Sequence, residues 1–280
     1  MEKQLQLIEE DLRFKFYMGD SFFLAYNKGH RNYGDFYKSK PDFYPVYSPS
    51  GREVTCTCAY RYNHHKSIWI GHAKVNGVNF FHDNNPNLEN AGDIVLEKSS
   101  SMTTQQGMEI LTKNGWISKK GERILTEDRN IRATPGEDVH IIDLLSLLIA
   151  SEGPVVFQQD GHAYIGIRVA DSMDAEDGGM IINSNGQIGE EQTMRQVADW
   201  VDYSGMVAGQ KVGITLMKHP SNPPSAFFTR SYGTCLCNFT LLNSYELPEG
   251  ESVKQRFRIL IHEGGHEDID IAGYFNQFAS

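Results

Sequence analysis

The stretch "KQRFRILI" (254–261) decides the fold. Gln255, Phe257, Ile259 and Ile261 alternate with Lys254, Arg256 and Arg258, so an extended chain would turn an apolar-leaning face one way and a basic face the other. The same period of two recurs through the chain. In "LRFKFYM" (12–18), Leu12, Phe14, Phe16 and Met18 oppose Arg13, Lys15 and Tyr17. "FFLAY" (22–26), "REVTCTCAY" (52–60), "AYIGIRVA" (163–170), "DWVDY" (199–203) and "VGITLM" (212–217) are further strands, with Val54, Cys56 and Cys58 expected on one face. Asn76-Gly77 and Asn185-Gly186 suit tight hairpins, because both residues tolerate positive φ. "DVHIIDLLSLLIAS" (138–151) fits a buried strand or a buried helix, and "TTQQGMEILTK" (103–113) is ambiguous. "HEDIDIAGYFNQFAS" (266–280) is the best helix, with Ile271, Tyr274, Phe275 and Phe278 at helical spacing. The pattern predicts a mainly β chain: one large antiparallel β-sandwich domain over residues 1–280 with a short C-terminal helix.

Composition narrows the partners. A net charge of -10 argues against nucleic acid or an anionic membrane. The longest apolar stretch, "IIDLLSLLIA" (141–150), is too short to span a bilayer. No signal peptide is read at the N-terminus, which points to the cytoplasm. A homo-oligomer is compatible with the sequence. The four cysteines form two Cys-x-Cys pairs, 56/58 and 235/237. Residues i and i+2 of a strand stand about 6.5–7 Å apart. Thiolates sharing a zinc at ~2.3 Å must lie closer. Reduced thiols are therefore expected, with a disulfide between the two segments as the alternative.

"RYNHHKSIWIGHAKVNGVNFF" (61–81) holds three histidines and a tryptophan. A two-residue turn at Asn76-Gly77 would pair Val75 with Val78 and His72 with Phe81. His72 would then share the wetter face with Lys74 and Asn79, at a groove. Strand geometry separates His64 from His72 by about 26 Å. They approach only if the chain bends at "HHKS". Imidazole titrates near neutrality and suits acid/base work or metal binding. No His-x-His or HExxH spacing is present, so a divalent metal on His64, His65 and His72 is the less favoured reading. His219 ends a strand before a proline-rich loop that carries Asn222 and Arg230, suited to hydroxyls or a carboxylate. Asn183, Arg195 and Trp200 form a second constellation, and Arg168 sits mid-strand, needing an anionic partner if buried. The Asn-rich "HDNNPNLENAGD" (82–93) reads as a surface loop beside the site.

At these residues the chain resembles a β-sandwich family of unknown function whose members commonly carry the label methane oxygenase PmoA. Its members have a segment like HHRGLWFAHGDVNGVDFW; here it reads "HHKSIWIGHAKVNGVNFF" (64–81). "GIRVADSM" (166–173), "INSNGQIGEE" (182–191), "ADWVDYSG" (198–205), "HPSNP" (219–223) and "RILIHEG" (258–264) match in the same order. The label does not transfer, since the membrane oxygenase subunit spans a bilayer. The resemblance implies a sandwich like the sugar-mutarotase supersandwich, with a carbohydrate or keto-sugar ligand. The chain departs from the family at Arg61, Tyr62 and Asn63, near His162, and near 227–229, where aromatic residues replace a Trp-His pair.

The resulting expectation is a carbohydrate-processing enzyme, an epimerase, lyase or hydrolase. His64, His65, His72 and His219 would move protons. Arg168, Asn183, Arg195, Asn222 and Arg230 would orient the sugar, and Trp69 or Trp200 would stack on it. The alternative is a non-catalytic carbohydrate-binding or scaffolding sandwich.

Overall fold

A computed structural model describes residues 4–29, 40–82 and 88–280. The expected loop at 82–93 therefore falls partly outside the described residues, at 83–87. The strands in chain order are β1 (Leu5–Glu9), β2 (Arg13–Met18), β3 (Ser21–Asn27), β4 (Asp42–Val46), β5 (Ile68–His72) and β6 (Gly92–Thr104). Next come β7 (Gly107–Ser118), β8 (Arg123–Thr134), β9 (Val139–Ile149), β10 (Val155–Phe157), β11 (Ala163–Arg168) and β12 (Met180–Asn183). The last are β13 (Trp200–Val207), β14 (Gln210–Lys218), β15 (Ala226–Arg230), β16 (Thr234–Asn238), β17 (Tyr245–Leu247) and β18 (Ser252–Glu263). Helix α1 (Gly189–Thr193) is short, and α2 (Ile271–Ala279) is C-terminal.

Two eight-stranded antiparallel sheets result. The first runs β1-β2-β3-β4-β5-β11-β16-β15 and the second β12-β13-β14-β18-β9-β8-β7-β6. Alternation in the sequence places the core between them. On β18, Gln255, Phe257, Ile259 and Ile261 are buried, while Lys254 is exposed and Arg256 and Arg258 are partly so. β9 resolves the ambiguous "DVHIIDLLSLLIAS": Ile142, Leu144, Ser146 and Leu148 alternate inward against half-buried neighbours. The 103–113 segment becomes the β6–β7 hairpin. On the first sheet, Phe14, Phe16, Ile68, Ile70, Ile165 and Ile167 face the same core.

One polar network crosses that core. Arg129 gives Nε and Nη2 to the Glu127 carboxylate, at 2.9 and 2.8 Å, and Nη1 to Tyr26 of the facing sheet, at 3.0 Å. Trp116 Nε1 and Ser146 Oγ also donate to Glu127, at 3.0 and 2.6 Å. The bonds to Glu127, with the field of Arg129, hold its carboxyl below the usual range against the opposing effect of burial.

Some local expectations are corrected. "REVTCTCAY" is not a strand: it makes only the isolated bridges Tyr47↔Glu53, Thr55↔Val169 and Ala59↔Tyr62, and Cys58 takes φ 55°. Val54, Cys56 and Cys58 accordingly do not share a burial state, being buried, partly buried and exposed. All four thiols are free, so the disulfide alternative falls. Asn76-Gly77 forms the expected turn, with φ 48° and 80° and reciprocal Val75–Val78 bonds of 2.9 Å. At Asn185-Gly186 only Gly186 has positive φ, and its N–H donates to the Asn183 carbonyl, so that loop is longer than a two-residue turn. Asp270 caps α2 by accepting the Gly273 N–H, and the helix buries Ile271 and Phe278 against Met217 and Leu260.

Candidate functional site

The first sheet has a second, outer face. Trp69, Gly166, Leu236 and Phe228 form one cross-strand row on β5, β11, β16 and β15. Arg168, Thr234 and Arg230 form the next row. Side chains alternate across a sheet, so both rows point away from the core that Ile68, Ile70 and Ile165 enter. Gly166 is required there: a Cβ on it would stand 2.6 Å from the Trp69 indole. The indole therefore lies over bare backbone.

The expected bend before β5 is present. His65 donates its N–H to the Tyr62 carbonyl at 2.9 Å and accepts from the Cys58 N–H at 2.9 Å. This folds the histidine pair back over the outer face. The His65 ring stacks between Tyr62 at 5.0 Å and Trp69 at 5.5 Å, with Tyr232 at 6.3 Å, all within about 25° of parallel. Its Nδ1 meets Thr234 Oγ1 at 3.1 Å. Burial, helped by the neighbouring imidazoles and Arg168, pushes its pKa down to about 2, so the ring is neutral.

Three further imidazoles adjoin it. His64 lies 4.6 Å from His65 and 4.5 Å from His82, and His82 lies 5.1 Å from His162. His162 Nδ1 sits 3.0 Å from Asp160 Oδ1, and Lys74 Nζ sits 3.0 Å from Asp160 Oδ2. Burial opposes ionisation of Asp160, but the bonds from His162 and Lys74 outweigh it and hold the carboxyl well below its usual range. An ionised carboxylate only accepts, so the His162 Nδ1–H donates to Asp160 Oδ1. His162 is half exposed, 47% at the side chain. This is the arrangement of a carboxylate-oriented base.

Other candidates lie elsewhere. His72 is fully buried, not at a groove. It points inward like Ile68 and Ile70 because it shares their parity on β5. The Lys74 N–H donates to its Nδ1 at 3.0 Å, so Nε2–H donates to Thr240 Oγ1 at 2.8 Å. Both nitrogens are thereby used, and burial lowers its pKa to about 4. The set His64, His65 and His72 thus does not converge, and among the described residues no three His, Cys, Asp or Glu are arranged to hold a metal. His219 belongs to the second sheet. Its Nδ1 accepts the Ser221 N–H at 3.0 Å and lies 2.7 Å from Ser221 Oγ, and its Nε2 lies 2.7 Å from Arg256 Nη1. Trp200 packs with Met217 and α2 on that same remote face. Asn222 is paired both ways with the Arg256 backbone, at 2.8 and 2.7 Å. Asn183 organises its own hairpin through Asn185 and Gln187. Arg195 is exposed, with Nη2 3.5 Å from the Leu241 carbonyl.

Arg168 and Arg230 do join the cluster, 5.4 and 5.2 Å from the Tyr232 ring. Arg230 pairs with Glu190 at 3.3 Å. Sequence reasoning did not select Tyr62, Tyr232, His82, Asp160 or His162 as site residues. The "DGH" before "AYIGIRV" was the available signal, seen only as a departure from the family pattern. Two grooves, of about 290 and 460 Å³, lie on the second sheet, beside Arg256 and Phe278 and beside Leu111 and Leu147. Neither is lined by these histidines.

A two-sheet antiparallel sandwich, carrying an imidazole and aromatic cluster on one outer face, defines the class of protein. The chain belongs to a family of unknown function, DUF6807, whose family model matches residues 13–276. No curated protein matches it. Among solved structures it is similar to an α-galactosidase from Lactobacillus brevis, at 10% identity and TM-score 0.43, covering 94% of this chain and 40% of that one. It is similar to the α-galactosidase AgaB from Geobacillus stearothermophilus at 8% identity and TM-score 0.48, covering 94% and 41%. It is also similar to a galactose mutarotase-like protein from Lactobacillus casei at 8% identity and TM-score 0.43, covering 92% and 100%. The chain thus spans about two fifths of the length of the two galactosidases. Among the described residues no helix is long and apolar enough to cross a membrane.

Proposed function

We propose that the chain binds a carbohydrate on the outer face of the first sheet and processes it by histidine acid/base chemistry. His162 is the base, oriented by Asp160, and His64 and His82 flank it. The stacked rings of Tyr62, His65 and Tyr232 supply the apolar platform that a sugar face covers. Arg168 and Arg230 orient its oxygens. One observation carries this reading: the Asp160–His162 dyad stands within ring-contact distance of His82 beside that platform. Epimerisation and lyase cleavage begin when such a base removes a C–H proton, and hydrolysis uses it to take a proton from the attacking water, a contribution worth about 10²–10⁴-fold.

The test is incubation with a panel of glycosides, including 3-keto glycosides, followed by mass spectrometry and NMR. Turnover by the native chain should fall at least about 10²-fold in His162→Gln, with ligand affinity unchanged within about tenfold. The second reading, a non-catalytic sugar-binding sandwich, draws on the state of His65, which is held neutral and cannot supply a proton as an imidazolium. Binding without alteration of any sugar would select it.

A further inference from the structure

The outer face of the first sheet is short of acceptors. Among the described residues, ten buried side-chain nitrogens and oxygens lack a hydrogen-bond partner. Three of them belong to this face and meet no carboxylate either: Trp69 Nε1, Arg168 Nε and Arg168 Nη1, whereas Arg230 Nε stands 3.3 Å from Glu190 Oε1. All three are donors, on side chains that can only donate. Trp69 is 1% exposed and Arg168 is 4% exposed. Lys66, 3% exposed, reaches Cys58 Sγ at 3.7 Å and, among the described residues, no carboxylate.

Leaving buried donors idle is costly, most of all for a charged group. The groups around Arg168 do not relieve it. Of the Arg168 nitrogens Asp171 takes only Nη2, at 2.9 Å, and its own side chain is 66% exposed, so that pair is screened and easily exchanged. Asp174 bonds the Asp177 amide instead. The Cys56 thiol beside the guanidinium is pushed up to about 11 by burial and carries no charge. Arg168 stands next to Thr234 in the cross-strand row, and Thr234 holds His65. The idle donors therefore adjoin the ring platform itself.

We infer that the ligand brings the missing acceptor as a carboxylate, so that the substrate class is an acidic sugar, a uronate or its glycoside. Two parallel guanidinium N–H groups match the two carboxylate oxygens. Arg168 takes the carboxylate, displacing Asp171 toward solvent, and the sugar ring lies toward Tyr232, His65 and the His162 dyad. This inference rests on the carbohydrate reading above and adds the charge of the substrate to it.

Paired ligands test it by calorimetry: methyl glucuronide and galacturonide against methyl glucoside and galactoside, at low and high salt. The native chain should bind one uronide at least roughly tenfold tighter than its neutral twin, and salt should narrow the gap. Arg168→Met should erase the gap, and Arg168→Lys should keep part of it, with thermal melts confirming that both variants fold. Equal binding of charged and neutral twins overturns the inference and leaves the carbohydrate reading standing. A preference that survives in folded Arg168→Met also overturns it. Binding of none of the four sugars removes both.

Discussion

Two buried arginines sit on strands, one on each sheet, and their donors meet opposite fates. Arg129 spends Nε, Nη1 and Nη2 on Glu127 and Tyr26 inside the core. Arg168, on the outer face of the first sheet, leaves Nε and Nη1 without partners. A buried ion whose nitrogens are all satisfied is a structural part, whereas the one left short is the position that the proposed ligand would complete. The difference separates the scaffold from the candidate site more sharply than burial alone, which is nearly equal at the two positions.

The contrast is easiest to break by removing each cation. Arg129→Met strands the Glu127 carboxylate in the core and should cost about 3–5 kcal/mol, read as a shift in the denaturant midpoint. Arg168→Met strands only the exposed Asp171 and should change stability by less than about 1 kcal/mol. Equal losses would remove the distinction. A smaller effect concerns the floor of the site. Gly166→Ala pushes a methyl into the Trp69 indole and should destabilise by about 1–3 kcal/mol, while Gly51→Ala is free of any such contact and tests only the φ of 76°.

A more gradual effect is a pH slope. His72 has a pKa lowered by burial from 6.5 to about 4. The unfolded chain then binds more protons in that window. Stability is full above about pH 6.5 and falls as the pH drops toward 4, by up to about 1.4 kcal/mol per unit. His65 extends the fall further into acid. His262 works the other way: burial opposes protonation, but the Asp202 carboxylate outweighs it and raises the pKa, so its contribution is lost as pH rises. Unfolding midpoints from pH 7 to 4.5 should show a shallower slope for His72→Asn than for the native chain.

Much of the fold was legible in the sequence because period-two burial is a local property. The alternation along 254–261 is the alternation seen on β18, and the spacing of Ile271 and Phe278 is that of the buried face of α2. "REVTCTCAY" misled because its alternation is real while its backbone is bent at Cys58. Half of the site was legible: the bend that folds His64 and His65 back follows from polar residues at 63–67. The rest depends on strand register. His162 enters the cluster because Ala163 pairs with His72 on neighbouring strands, which no local pattern encodes. His72 and His219 have the residue type that suits proton transfer, but hydrogen bonding to Thr240 and Arg256 uses them otherwise.

Strand β5 belongs to two compartments at once. Ile68, Ile70 and His72 serve the interior, while Trp69 and Gly71 serve the outer face. Length changes near it are therefore quantised. Losing or gaining one residue between His65 and Trp69 would send the indole inward and isoleucines outward, exchanging floor and core together. Only steps of two keep the frame, so in relatives of this chain the spacing between the paired histidines and the tryptophan should stay even or odd as it is here, whatever else drifts.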